Sequence, residues 1–420
     1  MITDLRHALA DWQIAAAWII FLASYFVFAF GRFPGTKIDR PAMAVVGAVL
    51  MFVFRILSPR NAIDSVDFGT LVLLFAMMLI VASLHLAGFF EWVSNRVILH
   101  LTPRQLLPGV IFTSGILSAF LVNDVVCLFM APLVLGLCKR MELRPLPYLL
   151  ALATASNIGG VATITGNPQD MLIGSVSGIS YRDFLAHLGP VALIGLFVDW
   201  ALLHWTYMHG KPLAVNPQPE PREPSGFNGP PNLRLLWPVM ITIAVLAGFL
   251  LGFQPPLVAA AGGALLLVRR TRDPKDIYDD VDWSLLVLFL GLFLIVGGAE
   301  QVGIASELLR TAERLNLHHS LIFASMVALL SNIVSNVPAV MLLKGLIPQF
   351  PDPHSMWLLL AVSSTLAGNL TITGSVANII VVEKARTVTH ISFLDYMKTG
   401  VPVTIATLAI GLIWLKFVHY

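Results

Sequence analysis

Two short polar stretches set inside apolar ones concentrate the chemistry of this sequence. The first, Ser156-Asn157-Ile-Gly-Gly160-Val-Ala-Thr163-Ile-Thr165-Gly166-Asn167-Pro, offers hydroxyls, amides and three glycines. The second, Ser364-Thr365-Leu-Ala-Gly-Asn369-Leu-Thr371-Ile-Thr373-Gly374-Ser, has the same character. Such neutral donors and acceptors suit recognition of a small polar solute. There is no Walker-type phosphate loop, and Cys127 and Cys138 lack metal or redox spacing. Neither an enzyme nor a bound cofactor or metal is therefore expected. Two further polar points, Asn123-Asp124 and Ser335-Asn336-Val337-Pro338, also interrupt apolar runs. Asp124 is the ionisable member, and a carboxylate at membrane depth can alternate between protonated and charged forms, as proton coupling requires. The plainer alternatives are that Asp124 caps a helix and that the small hydroxyl residues only pack helices together.

The elements that must position these residues are membrane helices. Of 420 residues, 57% are hydrophobic and 12% charged, and apolar runs long enough to cross a bilayer recur. A net charge of +2 implies no affinity for nucleic acid. Runs at about 12–30, 41–57, 69–90 and 187–208, then 235–251, 256–269, 284–300 and 399–418, read as crossings. The pairs 104–138 and 319–350, broken centrally by Asn-containing turns, read as re-entrant hairpins, and 146–176 and 356–381 as broken helices. Unwound backbone at this depth is tolerated only where it is packed in protein or lines a cavity. Ser118–Asn123 aligns with Ser331–Asn336, and Ala162–Gly166 with Leu370–Gly374, at offsets of 213 and 208. The expected fold is thus an all-α polytopic membrane protein of two inverted repeats, 1–208 and 235–420, each with about five crossings, one hairpin and one broken helix. The candidate substrate-binding set is Asn123, Ser156, Asn157, Gly160, Thr163, Gly166, Asn167, Ser335, Asn336, Ser364, Thr365, Asn369, Thr371 and Gly374, with Asp124 carrying the proton.

Charge placement gives an orientation. Most lysines and arginines, among them Arg40, Arg96, Lys139, Arg140, Lys211, Arg222, Arg269, Arg270, Arg272 and Lys384, fall on one face, and Arg6, Arg55, Arg60, Arg182, Arg310 and Arg314 on the other. The positive-inside rule makes the first face cytoplasmic and puts both termini outside. It also makes the linker 209–234, with seven prolines, cytoplasmic. Phe89–Leu101 reads as an interfacial helix. Asp199, Glu300 and Lys344 are weaker candidates. His85 and His204 have no visible partner and read as packing residues.

LLALATASNIGGVATITGNPQDMLI (149–173), SAFLVNDVVCLFMAPLV (118–134) and LAGNLTITGSVANIIVVE (366–383) resemble the ion transporter superfamily in its ArsB/NhaD-type branch. Residues 47–92 look like the arsenite efflux permeases and plant silicic-acid exporters of that branch. The resemblance implies an inner-membrane carrier with scaffold and transport domains, an elevator mechanism and often a homodimer. Related sodium-coupled dicarboxylate carriers carry paired Ser-Asn-Thr signatures. Here the two read Ser156-Asn157-Ile158 and Ser364-Thr365-Leu366, which shifts weight from sodium to protons. The leading expectation is proton-coupled efflux of arsenite, antimonite or a related small oxyacid across the plasma membrane. A sodium-coupled carrier of inorganic anions or dicarboxylates, a sodium/proton antiporter, and a membrane subunit partnered by a soluble ATPase stay open as alternatives.

Overall fold

The computed structural model describes residues 9–32, 35–98, 101–208, 233–268, 273–304, 307 and 317–418. Helix α1 (Asp11–Phe30) has 20 residues, about 30 Å at 1.5 Å per residue, which matches a bilayer core. α4 (Phe68–Leu86), α10 (Tyr181–Leu203, continued by a π segment to Met208), α14 (Trp283–Gln301) and α19 (Phe393–Phe417) are likewise long and apolar enough to cross. Shorter helices complete the set: α2 (Arg40–Val53), α3 (Pro59–Ser65), α5 (Phe89–Val93), α11 (Leu233–Leu250), α12 (Pro255–Val268) and α13 (Pro274–Asp279). The segment read as interfacial is α5 followed by a π turn over Ser94–Ile98. No strand occurs among the described residues. Large apolar side chains such as Ile19, Val53, Ile243, Leu257 and Ile405 are exposed, as lipid-facing residues must be.

The polar stretches fall between helices. α6 (Leu106–Phe120) turns at Leu121-Val122 into α7 (Asn123–Arg140), and α15 (Ser320–Val334) turns at Ser335 into α16 (Asn336–Leu343). α8 (Leu146–Gly160) gives way to irregular backbone over 161–167 before α9 (Pro168–Ser177). α17 (Pro353–Ala367) is followed by a 3-10 turn, Ile372–Gly374, and then α18 (Val376–Ala385).

Matching elements of the two halves carry matching caps. Asp67 accepts from the Thr70 N–H at 2.6 Å to start α4, and Asp282 from the Leu285 N–H at 3.0 Å to start α14. Ser180 and Ser392 start α10 and α19 by accepting from Asp183 N and Asp395 N, each at 3.1 Å. The packing also exchanges between halves: α2 lies on α14 and α4 on α12, while α6 lies on α8 and α15 on α17. At the α6–α8 crossing, a Cβ on Gly159 would meet the Gly115 carbonyl at 2.0 Å, so glycine sets this approach. The linker up to residue 232 lies outside the described residues, as do Arg6, Lys211, Arg222, Arg269, Arg270, Arg272, Arg310 and Arg314.

Candidate functional site

Both helix breaks are stitched to the hairpin tips. The Asn123 N–H, at the start of α7, donates to Gly166 O at 3.0 Å. In the second half, with its amide nitrogen facing them, Asn336 lies 3.1 Å from Ser364 O and 3.3 Å from Gly374 O. Glycine is required within the breaks, because a Cβ on Gly166 would sit 2.0 Å from Gly160 O and one on Gly374 2.9 Å from Gly368 O. Residues 161–170 are buried throughout, so this irregular backbone packs in protein rather than in lipid.

Six helices, α2, α7, α9, α14, α16 and α18, begin at one cavity of about 190 Å³, well above the roughly 15 Å³ that admits one water. Its lining includes the first residues of α7 (Asn123, Asp124), α9 (Pro168, Gln169), α16 (Asn336, Val337) and α18 (Val376), with Asn167, Ser335, Ser375, Arg40, Asp282 and Ser284. The positive ends of six helix dipoles therefore meet there, with one guanidinium and two carboxylates among the lining groups. Asp124 is half-buried, and the Ala377 N–H in the first turn of α18 is within electrostatic reach of its carboxyl. Asp124 opens α7 while its carboxyl is near the start of α18, from the other half of the chain. Ser335 carries the backbone conformation φ 79°, ψ 158°, which is strained for any residue but glycine.

Behind the cavity an asparagine cluster is fixed bond by bond. Asn378 donates to Gly368 O at 2.6 Å and Thr371 O at 3.0 Å, so its own oxygen must accept. Asn157 donates to that oxygen at 3.0 Å and to Asn369 Oδ1 at 2.8 Å, which leaves Asn157 Oδ1 to accept from Ser375 and from Asn123, both at 2.9 Å. Asn157 is then saturated. Asn123 Oδ1, fixed as an acceptor by this chain of logic, has no partner among the described residues.

The remaining sequence candidates have other roles. Ser156 and Ser364 donate to carbonyls of their own helices, and Thr163 donates to Ala119 O, tying the break to the end of α6. Thr371 binds Asn332 Oδ1 at 3.0 Å. None of these lines the cavity, and neither do Asn157, Gly160, Gly166, Thr365, Asn369 or Gly374. His85, read as unpartnered, lies 2.8 Å from Asp280 and stacks on Phe129. Sequence reasoning passed over Asp170 and Asn378. Thr365 donates to the buried Asp170 at 3.1 Å, as does Asn167, also at 3.1 Å. The repeat offset of 208 that joins Thr163–Gly166 to Thr371–Gly374 also places Asp170 on Asn378 and Asn157 on Thr365, and that extension was the available signal. No group of three or more His, Cys, Asp or Glu suited to a metal occurs among the described residues.

Residues 25–362, which hold the first break, both hairpin turns and the cavity lining except Ser375 and Val376, match the citrate transporter family, CitMHS. The chain belongs to the CitMHS family. As a CitMHS chain it is a multi-pass membrane transporter, and not an enzyme. It is 29% identical to a 46 kDa membrane protein of Mycobacterium leprae, over 93% of this chain and 97% of that one. It is 30% identical to the silicon efflux transporter of Oryza sativa subsp. japonica, over 91% of this chain and 93% of that one. In fold it is similar to MtrF of Neisseria gonorrhoeae, described as one of a class of antimetabolite efflux pumps, with a TM-score of 0.59, 11% identity and coverage of 99% and 96%.

Proposed function

We propose that this CitMHS chain is a proton-coupled exporter of a small uncharged hydroxo-acid of the arsenite, antimonite or silicic acid type, with Asp124 as the proton carrier. The orphan acceptor Asn123 Oδ1 carries this reading. A buried acceptor without a donor is costly, and a solute hydroxyl satisfies it, whereas a carboxylate group or a fully deprotonated oxyanion brings acceptors only. The lining charges agree: with Asp124 protonated, Asp282 offsets Arg40, so an uncharged solute completes a site without net charge at membrane depth. The silicon efflux activity named for the rice relative is in keeping with this solute class.

In this scheme the two halves are inverted copies, and the hairpins and broken helices form a unit that moves against α1, α2, α4, α11, α12 and α14. The Asp124 carboxyl of α7 is near the Ala377 N–H at the start of α18, so protonating it weakens the attraction between the two helix starts and couples proton binding to the site's geometry. The basic loops lie in the cytoplasm and the termini outside. A second reading, a sodium-coupled importer of carboxylates, draws on Arg40, the six helix N-termini and the family's description. Counterflow in proteoliposomes separates the two. Labelled arsenite exchanging for arsenite or silicic acid supports the first reading, and saturable citrate or succinate exchange without arsenite flux overturns it.

A further inference from the structure

A second buried polar group lies away from the cavity, where α10 crosses α8 and α19. Asp199 of α10 is fully buried. Its Oδ2 is 2.9 Å from Thr154 Oγ1, and its Oδ1 has no hydrogen-bond partner among the described residues. The ion pairs recorded among those residues do not include it. Thr154 Oγ1 is also 2.9 Å from Leu150 O, one turn back on its own helix. One hydroxyl therefore faces two oxygens at bonding distance and has one proton to give. Leu150 O, and Ala151 O at 3.4 Å, are acceptors only, so two unshared bonds at 2.9 Å need a second proton, and the carboxyl is the group that can hold it. Asp170 differs, because Asn167 and Thr365 both donate to it and it sits in the first turn of α9, where a helix favours negative charge.

The surroundings of Asp199 do not compensate a charge. Tyr396 of α19 is within electrostatic reach, its hydroxyl near Asn378 without a hydrogen bond of good geometry. Cys127 of α7 is within electrostatic reach of the same tyrosine. α8 adds only Tyr148, and α6 has no ionisable residue. His354 of α17 packs against His187 near the start of α10, beside Arg182 and Asp183, while His204 and Tyr207 follow the end of α10. Asp395, Lys398 and Lys416 lie at the ends of α19, and α11 offers no ionisable group among its described side chains. Asn369 connects this place to the cavity, donating to Thr154 O at 3.1 Å and accepting from Asn157, which binds Asn123.

We propose that Asp199 is a second proton-binding site, occupied in this conformation as the carboxylic acid donating to Thr154 Oγ1, and linked to the cavity through Asn369 and Asn157. Release sends the proton to water and leaves a carboxylate, which draws the Thr154 hydroxyl away from Leu150 O. Its role in coupling rests on the transporter reading above, whereas its protonation does not.

Infrared difference spectra of the full-length protein in lipid nanodiscs at neutral pH test this. Asp199→Asn should remove one carboxylic-acid carbonyl band that Asp124→Asn leaves in place. Thr154→Val, which removes the acceptor, should shift that band to higher frequency. If Asp199→Asn fails to fold, the Thr154→Val shift decides alone. No band lost in Asp199→Asn and no shift in Thr154→Val, or an acid band that grows only when sodium is withdrawn, overturns the proposal. Both outcomes are read without a transported solute, so a failed flux assay does not bear on them.

Discussion

Thr365 donates to Asp170 at 3.1 Å across the two halves of the chain, and Asn157 donates to Asn378 at 3.0 Å in the position that the repeat offset makes equivalent. Each broken helix thus holds the far segment of the other, but only one of the two clasps contains a carboxylate. Removing the Thr365 hydroxyl leaves Asp170 with one side-chain donor fewer. Thr365→Val should cost about 1–2 kcal/mol, between the small average for membrane hydrogen bonds and the larger value for bonds to charged groups. Thermal unfolding in detergent checks this, and in a cycle with Asp170→Asn the two losses should not add.

Steric room gives a second test. Gly166→Ala would push a methyl to 2.0 Å from the Gly160 carbonyl, backbone against backbone. It should destabilise by about 1–3 kcal/mol as overpacking does, and lower transport with it. Gly136→Ala on α7 meets nothing within 4 Å and should be neutral or slightly stabilising, by up to about 1 kcal/mol. Equal unfolding midpoints for the two variants would contradict the close packing of the first break.

Ser335 supplies a third. Its φ of 79° with ψ 158° lies in a region nearly confined to glycine and stores about 1–3 kcal/mol. Ser335→Gly should therefore raise the unfolding temperature, whereas Ser335→Ala should not, since both side chains carry a Cβ. The same rise in both variants would point to the hydroxyl instead of the backbone.

Outside the membrane, Asp352 caps α17, and the Ser355 hydroxyl and N–H hold its carboxyl below the ordinary aspartate range. The folded value is lower than the unfolded one. The stabilisation is therefore complete above about pH 4 and lost as pH falls through the folded value. Asp352→Asn keeps a capping side chain but should flatten the acid limb of the stability profile, seen as a smaller drop in midpoint as pH falls through the range around the ordinary aspartate value of about 3.9.

The helical membrane fold was legible because apolar runs of bilayer length leave few alternatives, and the interruptions showed because glycine, asparagine and threonine clusters stand out there. Asn123, Asp124, Asn167, Ser335 and Asn336 were also readable, since each sits beside a helix start at the cavity. Ser156, Thr163 and Ser364 lie off the cavity with their hydroxyls on carbonyls, a placement the sequence does not reveal because such a hydroxyl can bond a nearby carbonyl as readily as a solute. Asp170 looked like an ordinary first-turn acid. Its pairing with Thr365, 195 residues away, exists only once the halves close on one another. Arg40 and Asp282 reach the cavity from the starts of α2 and α14, a tertiary placement that no local pattern encodes.

The central claim is that a proton at Asp124 drives movement of an uncharged hydroxo-acid. Its most direct test is arsenite flux in proteoliposomes with and without an imposed pH gradient, for the native protein and for Asp124→Asn. The account predicts accumulation against a concentration gradient only when the pH gradient is present, and its loss in Asp124→Asn with folding intact. Equal arsenite flux with and without the gradient, or full gradient-driven transport by Asp124→Asn, would contradict it.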